Sequence, residues 1–365
     1  MDLSQSKFTV GEIASAIGAE ARGNISLTVT GVASPKTASE NELALAMSDR
    51  FRPDLAFGKA HAAVLGHGND WESLGLKAAI ILVNPRLGLS KLTSYFKKPA
   101  SFSRDMRSHS FISEKAIIGE GTTIGPFTYI GPDVIIGNDC IIGSHVSIEE
   151  GSKIGNGGVV LSGVRIGQRI IIGEYFICHY NTAIGCDGFS YETAAEGAVE
   201  QVKLTLGSKV DKIQSRNTKV YSLGNIIIGD NVEIGACTAI DSGTIDSTVI
   251  GNRTKIDNLV HIAHNVRIGE DCLLCGQVGI AGSAKIGDRV VLAGQTGVKD
   301  HIKVGNDVIA GGATKIFSNV PDGTIVMGSP AVEMKKNIAT YKAIRRLPKL
   351  LEKVSAMEKK LSDLT

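Results

Sequence analysis

Through most of the chain, one residue in six is aliphatic, and this beat dominates the hydrophobic pattern. Aliphatic or near-aliphatic side chains fall at 112, 118, 124, 130, 136, 142, 148, 154, 160, 166, 172, 178 and 184, with cysteine at 178. Glycine usually follows at once, as in Ile118-Gly119, Ile124-Gly125, Ile130-Gly131 and Ile136-Gly137. The phase is lost after Phe189 and resumes at Ile228, Ile234 and Ile240. It slips by four residues between Asp246 and Val249, then runs unbroken from Ile250 to Ile316. A period of six fits neither a helical turn nor a simple strand–turn–strand meander. It fits a parallel β-helix with short flat faces and tight corners, each aliphatic side chain pointing inward onto its equivalent one coil away. Three faces make about eighteen residues per coil, so the region should hold roughly nine coils and extend about 45 Å. Glycine is expected at the corners, where the backbone angles disfavour a Cβ. The prism's ends would expose unpaired backbone groups, so each needs a cover.

The flanks break the pattern. Residues 1–108 lack the repeat. FTVGEIASAIG reads as a short helix, with Val10, Ile13, Ala14 and Ile17 on one side. LTVTGVAS, HAAVLGH and KAAIILVN read as strands, and Pro85 to Phe96 as a helix opened by proline. This is a small α/β domain, joined to the prism (109–330) by the linker KKPASFSRDMRSHS. Residues 331–365 read as helical, with apolar positions at Ile338, Tyr341, Ile344, Leu347, Leu350, Leu351, Val354, Met357 and Leu361, and with Pro348 kinking or dividing the helix. This tail carries nine Lys/Arg against four Asp/Glu, which suits an oligomer contact, a docking surface for an acidic protein, or both. The 190–227 stretch is a polar insertion with alternating segments such as Val202 to Leu206, read as an arm projecting from one corner.

Composition narrows the setting. The 365 residues suffice for two domains, and a net charge of +2 with 21% charged residues gives no reason to expect nucleic acid. Six scattered cysteines define no disulfide framework. Cys272 and Cys275 form one C-x-x-C, but zinc needs four ligands, so they read as small hydrophobes and no metal is expected. The N-terminus lacks the basic and apolar regions of a signal peptide, and no apolar run has transmembrane length. A cytoplasmic location is the expectation.

One segment of the prism is chemically dense. IDNLVHIAHNVRIG, from Ile256 to Gly269, keeps the six-residue beat yet collects Asp257, Asn258, His261, His264 and Asn265. His264 is the third residue of its hexad, and one coil on the same position is Gly282. Two coils on, the matching hexad contains His301. His264, Gly282 and His301 should therefore line one face, with the histidines about 10 Å apart. A neutral imidazole can take a proton from an attacking amine or hydroxyl near neutral pH. Asp257 is the candidate to hold the ring tautomer, and a bare amide at Gly282 could face a developing oxyanion. This is the equipment for direct acyl transfer; no G-x-S-x-G elbow supports a serine nucleophile.

These residues carry a resemblance. Hexapeptides of the form Ile-Gly-x-x-x-x over this length resemble the left-handed β-helix acyltransferases, typically trimers. IDNLVHIAHNVRIG, together with IGACTAIDSGTID, TVIGNRTKIDN, GCDGFSY and GVAS in a leading α/β domain, resembles the UDP-3-O-acylglucosamine N-acyltransferase family of lipid A biosynthesis. The resemblance implies a left-handed parallel β-helix of hexapeptide repeats with a small N-terminal α/β domain and C-terminal α-helices. It implies transfer of a 3-hydroxyacyl chain from acyl carrier protein to the 2-amino group of UDP-3-O-acyl-glucosamine, in a homotrimer with active sites between subunits. No cofactor is implied beyond the phosphopantetheine of the donor. His264 matches the family's general base, Asp257 its support, Gly282 its oxyanion donor and His301 its second active-site histidine. Asn258, Asn265 and Phe189 fall among the expected substrate-binding positions. Where the family stacks uracil between aromatic residues, this chain has Leu45, Ser48 and Phe51, and only Phe51 is aromatic. The 190–227 insertion is longer than the family's. Rival readings are a sibling that O-acylates UDP-N-acetylglucosamine, a CoA-dependent acyltransferase on another amino sugar, a metal-dependent hydratase on the same fold, and a non-catalytic scaffold. The sibling lacks the leading α/β domain, and His261 and His264 are spaced wrongly for that hydratase's zinc.

Overall fold

The computed structural model describes residues 7–66, 70–97, 109–194, 197, 201–202, 205, 208, 216–328 and 331–363. Most of the expected linker, and most of the Val202 to Leu206 segment of the arm, lie outside the described residues. The chain forms two compact units, residues 1–100 and 101–365.

In the first unit, helix α1 (Val10–Ile17) starts at a Thr9–Glu12 capping box and ends at Gly18, whose φ of 69° is left-handed. Helix α2 (Pro85–Phe96) has its proline in the first turn and Asn84 as N-cap. The five-stranded sheet runs in the order Glu20–Gly23, Ala78–Leu82, Ala62–Gly66, Glu42–Ala46, Gly31–Ala33, antiparallel only at its first pairing. Val10 and Ile13 of α1 and Leu92 of α2 pack with Val64 and Ile80 in one core cluster. A second cluster gathers Ala63, Leu65 and Ile81, with Trp71 against it. The strand Glu42–Ala46 leaves no signal in the sequence, because ELALA lacks the β-branched residues that mark strands.

The second unit is a parallel β-solenoid of three sheets, with ten, nine and ten strands, most of them two residues long. We call the sheet from Phe111–Ile112 to Lys315–Ile316 face 1, that from Ile117–Ile118 to Lys303–Val304 face 2, and that from Thr123–Ile124 to Ile325–Val326 face 3. The inward aliphatic residues form one continuous buried core from Ile124 to Val320. Each residue pairs with its equivalent in the next coil, as Ile262 does with Ile280 and Ile280 with Val298.

The corners overturn the expectation for glycine. The left-handed residue falls three places after each inward aliphatic and is usually not glycine: Asp139, Arg253, Asn265 and His301 have φ of 54°, 61°, 61° and 57°. Its amide bonds the coil behind it, as Asp139 N–H does to the Glu120 carbonyl at 2.8 Å, which offsets a strain of about 1–2 kcal/mol. The glycine that follows the aliphatic serves close approach instead. A Cβ on Gly119 would lie 2.3 Å from the carbonyl carbon of Gly137, and one on Gly251 would lie 2.5 Å from that of Gly269. Between faces 2 and 3 a ladder of Asn and Asp side chains caps backbone amides, for example Asn138 Oδ1 accepting from Glu120 N–H at 2.9 Å and Asn306 Oδ1 from Asp288 N–H at 2.8 Å.

The insertion leaves face 1 after Ala183–Cys186 and forms an antiparallel pair, Tyr191–Glu192 with Thr218–Lys219. Its root is held by an ion pair between Lys219 and Asp187 at 2.5 Å and by Gly188 N–H donating to Ser222 Oγ at 3.0 Å. Helix α3 (Met334–Ser362) is a single exposed helix; Pro348 lies inside it and does not divide it. Among the described residues no helix is long and apolar enough to cross a membrane.

Candidate active site

His264 stands one residue before the corner that leads from face 1 to face 2. Its ring lies over Gly282 in the next coil: a Cβ there would sit 2.8 Å from both Cε1 and Nε2 of the imidazole. On its other side Gly188, from the root of the insertion, leaves equivalent room, since a Cβ would come within 2.7 Å of His264 Cβ. Two glycines thus make the slot in which the imidazole fits.

The tautomer follows from the hydrogen bonds of Asn265. Its Oδ1 accepts from Thr244 N–H at 3.1 Å, and its Nδ2 donates to the Asp246 carbonyl at 3.1 Å. Those two backbone groups fix which end of the amide is oxygen. The same Oδ1 lies 3.0 Å from His264 Nδ1, so Nδ1 carries the proton and donates. Nε2 is left with its lone pair, beside Gly282. The amide of Gly282 occupies the place in its coil that the Asn/Asp ladder caps on the neighbouring corner, yet no side chain among the described residues caps it.

His264 and Gly282 line a recess of about 550 Å³ on face 1, together with Phe189, Lys299, Lys315 and Phe317. The floor is deepened where the outward positions of two successive coils are Gly279 and Gly297. Phe189 is 85% exposed and meets Tyr191 edge-on, so the arm lends the recess an apolar wall.

Four expected roles change. Asp257 does not support His264 within this chain. It belongs to the corner between faces 3 and 1, His264 to the corner between faces 1 and 2, and strand His261–Ile262 separates them. Asp257 and Asn258 instead line a second recess of about 490 Å³ with His179, Glu233, Lys255 and Cys275. Asn258 Oδ1 is engaged by Ala236 N–H at 2.6 Å, a backbone cap of the same kind at the corner between faces 3 and 1. Asn265 engages His264 and the backbone through its oxygen and the Asp246 carbonyl through its Nδ2, so it orients the ring. His301 is a left-handed corner residue stacked one place past Gly282, whose carbonyl takes its N–H at 3.1 Å; Asp300 occupies the register position and lines the recess, whereas His301 does not. In the first unit, Ser48 precedes the short helical turn Asp49–Phe51, and Phe51 is partly exposed with the Arg50 guanidinium 5.0 Å from its ring centre. Cys272 is buried, its thiol directed at the carbonyls of Glu270 and Gly287, as a core residue would be.

One residue escaped the sequence reading. Asp241 follows the inward Ile240 and is only 5% exposed. Its Oδ2 lies 3.8 Å from His261 Nε2. Burial pushes its carboxyl above the usual carboxylate range, and the imidazoles of His261 and His264 pull it part of the way back.

A parallel solenoid of hexapeptide repeats is the architecture of the hexapeptide transferases. Residues 115–149 and 247–282 match the model of the bacterial transferase hexapeptide (six repeats). Over 97% of its length the chain is 49% identical to a UDP-3-O-acylglucosamine N-acyltransferase of Ruegeria pomeroyi, covering 98% of that protein. It is 45% identical to one of Paracoccus denitrificans over 74% of each chain. The fold is also that of an Arabidopsis UDP-N-acetylglucosamine acyltransferase, with a TM-score of 0.52 at 22% identity over 61% of this chain and 71% of that one. The chain belongs to the UDP-3-O-acylglucosamine N-acyltransferase family and is an enzyme that forms amides by acyl transfer.

Proposed function

We propose that the enzyme moves a 3-hydroxyacyl chain from the phosphopantetheine thioester of acyl carrier protein to the 2-amino group of UDP-3-O-acyl-glucosamine, a step of lipid A synthesis. The observation that carries this reading is the imidazole held over Gly282 with its Nδ1 against Asn265 Oδ1, which leaves Nε2 to accept. The acceptor amine attacks the thioester carbonyl while Nε2 of His264 takes its proton. Negative charge gathers on the carbonyl oxygen, where the Gly282 N–H donates to it. The intermediate collapses, the C–S bond breaks, and the imidazolium returns the proton to the departing thiolate. The products are an amide and a free carrier thiol, so no dissociable cofactor is required. The trench at Gly279 and Gly297, between Phe189 and Phe317, suits the acyl chain, and Phe51 offers a ring to the uracil. The basic helix α3 suits an acidic carrier protein. The working form is a homotrimer with each site between two subunits.

The test incubates the enzyme with 3-hydroxyacyl carrier protein and the free-amine nucleotide sugar and weighs the product. One acyl mass should be gained, and His264→Ala should lose roughly 10²–10⁴ in turnover while melting like the parent. A product of unchanged mass with active donor, or full turnover by the variant, refutes the reading.

A further inference from the structure

We propose that Asp241 is a positioning residue for the reaction: through its charge it stabilises the imidazolium that forms on His264. This rests on the reading of His264 as the general base. Asn265 fixes the ring's tautomer but is neutral, so it cannot balance the positive charge that proton transfer creates. A carboxylate can, provided that it is close and shielded from water.

The strand Ala239–Asp241 lies directly beneath His261–Ile262 on face 1, with Ala239 opposite His261. Asp241 closes that strand, and its backbone carbonyl is anchored by the Thr248 hydroxyl at 2.8 Å. From there the chain runs through Thr244 and Asp246, the two residues whose backbone holds Asn265. One loop therefore carries both the buried acid and the clamp on the base. The charges around it come from every side. His261 faces Asp241 from the coil above. Cys186 and Asp187 face it from the root of the insertion, and Asp187 is neutralised by Lys219 at 2.5 Å. Lys299, Asp300 and Lys315 line the recess beyond His264.

The experiment is a pH–rate series on the full-length enzyme with the donor and acceptor named above, comparing the parent with Asp241→Asn. The acceptor amine titrates alike in both, so the difference between the two profiles belongs to the protein. Without the anion the imidazolium is harder to form. The acid limb of kcat/KM should move to lower pH by about one unit, kcat should fall roughly ten-fold as the base weakens, and KM for the acceptor should hold. An acid limb that stays where the parent's lies, in a variant that melts normally, overturns the proposal whatever happens to kcat. If Asp241→Asn does not fold, Asp241→Ser is read the same way; failure of both to fold assigns Asp241 to the architecture and overturns the proposal too. Loss of the His264 reading is separately visible, because His264→Ala would then remain active.

Discussion

Asn265 and Asp241 divide between them what a single carboxylate does in many dyads: the amide orients His264 and the acid sits nearby in the dark of the coil. That division has a cost measurable in stability. Burial raises the Asp241 carboxyl above its ordinary value of 3.8. As pH rises, the unfolded chain loses this proton first and the folded chain keeps it longer. The folded state therefore binds more protons across the window that opens at the ordinary value and closes at the raised one. Its contribution to stability is complete below that window and declines through it. Asp241→Asn removes the titration, so its melting temperature should equal or exceed the parent's at pH 7, and the advantage should shrink as pH falls through the window. Melting curves of both proteins between pH 4 and pH 8 check this. A variant several degrees less stable at neutral pH would mean that the ionised acid, beside His261, is a net support of the fold.

At the scale of the element, the hexapeptide is a compromise between two backbone demands met by different residues. The left-handed corner tolerates Asp, Asn, Arg and even Leu259 at a φ of 59°, whereas the step after the inward residue, where glycine fills it as at Gly119 and Gly251, closes too tightly on the next coil for a Cβ. Gly251→Ala, which would bring a methyl group to 2.5 Å from the next coil, should destabilise by about 1–3 kcal/mol, the usual range for overpacking. Chemical denaturation of the variant checks it, and an unchanged midpoint would show that the coils can part without penalty. The same geometry explains what could be read from the letters. The beat of inward aliphatics was legible because a core one residue wide forces it, and His264 could be matched to Gly282 because no slip interrupts the coils from Ile250 to Ile316. Asp257 does not reach His264 within one chain because seven residues that look close in sequence cross from one corner of the prism to the next. Asp241 stayed hidden because the slip before Val249 makes its coil longer. Ala239 pairs with His261, twenty-two residues away, and eighteen-residue arithmetic steps over the pair. The role of Asn265 was invisible for a different reason: it depends on a loop carbonyl and a loop amide that no side-chain pattern encodes.

At the scale of the whole molecule, a single chain is left with two half-furnished recesses. One has His264, Gly282, Asp300 and the glycine trench on face 1; the other has Asp257, His179 and Glu233 on face 3, at its corner with face 1. A trimer of prisms in rotational symmetry presents the first corner of each copy to a different corner of the next. If the reaction uses Asp257 at all, it must come from the neighbour, because no rearrangement short of unwinding a coil brings it round to His264 within one chain. Light scattering should give three times the chain mass of 38.4 kDa. The decisive test is complementation. His264→Ala and Asp257→Ala chains, each inactive alone, are expressed together with different tags and the mixed trimers isolated. A mixed trimer contains an interface at which an intact His264 faces an intact Asp257, so activity should return to a sizeable fraction of the parent's. Mixed trimers as inactive as their parents would place both residues in a site made by one chain, against the separation of the two corners seen here. Full activity in the Asp257→Ala homotrimer would remove that residue from the chemistry and leave it to shape the second recess.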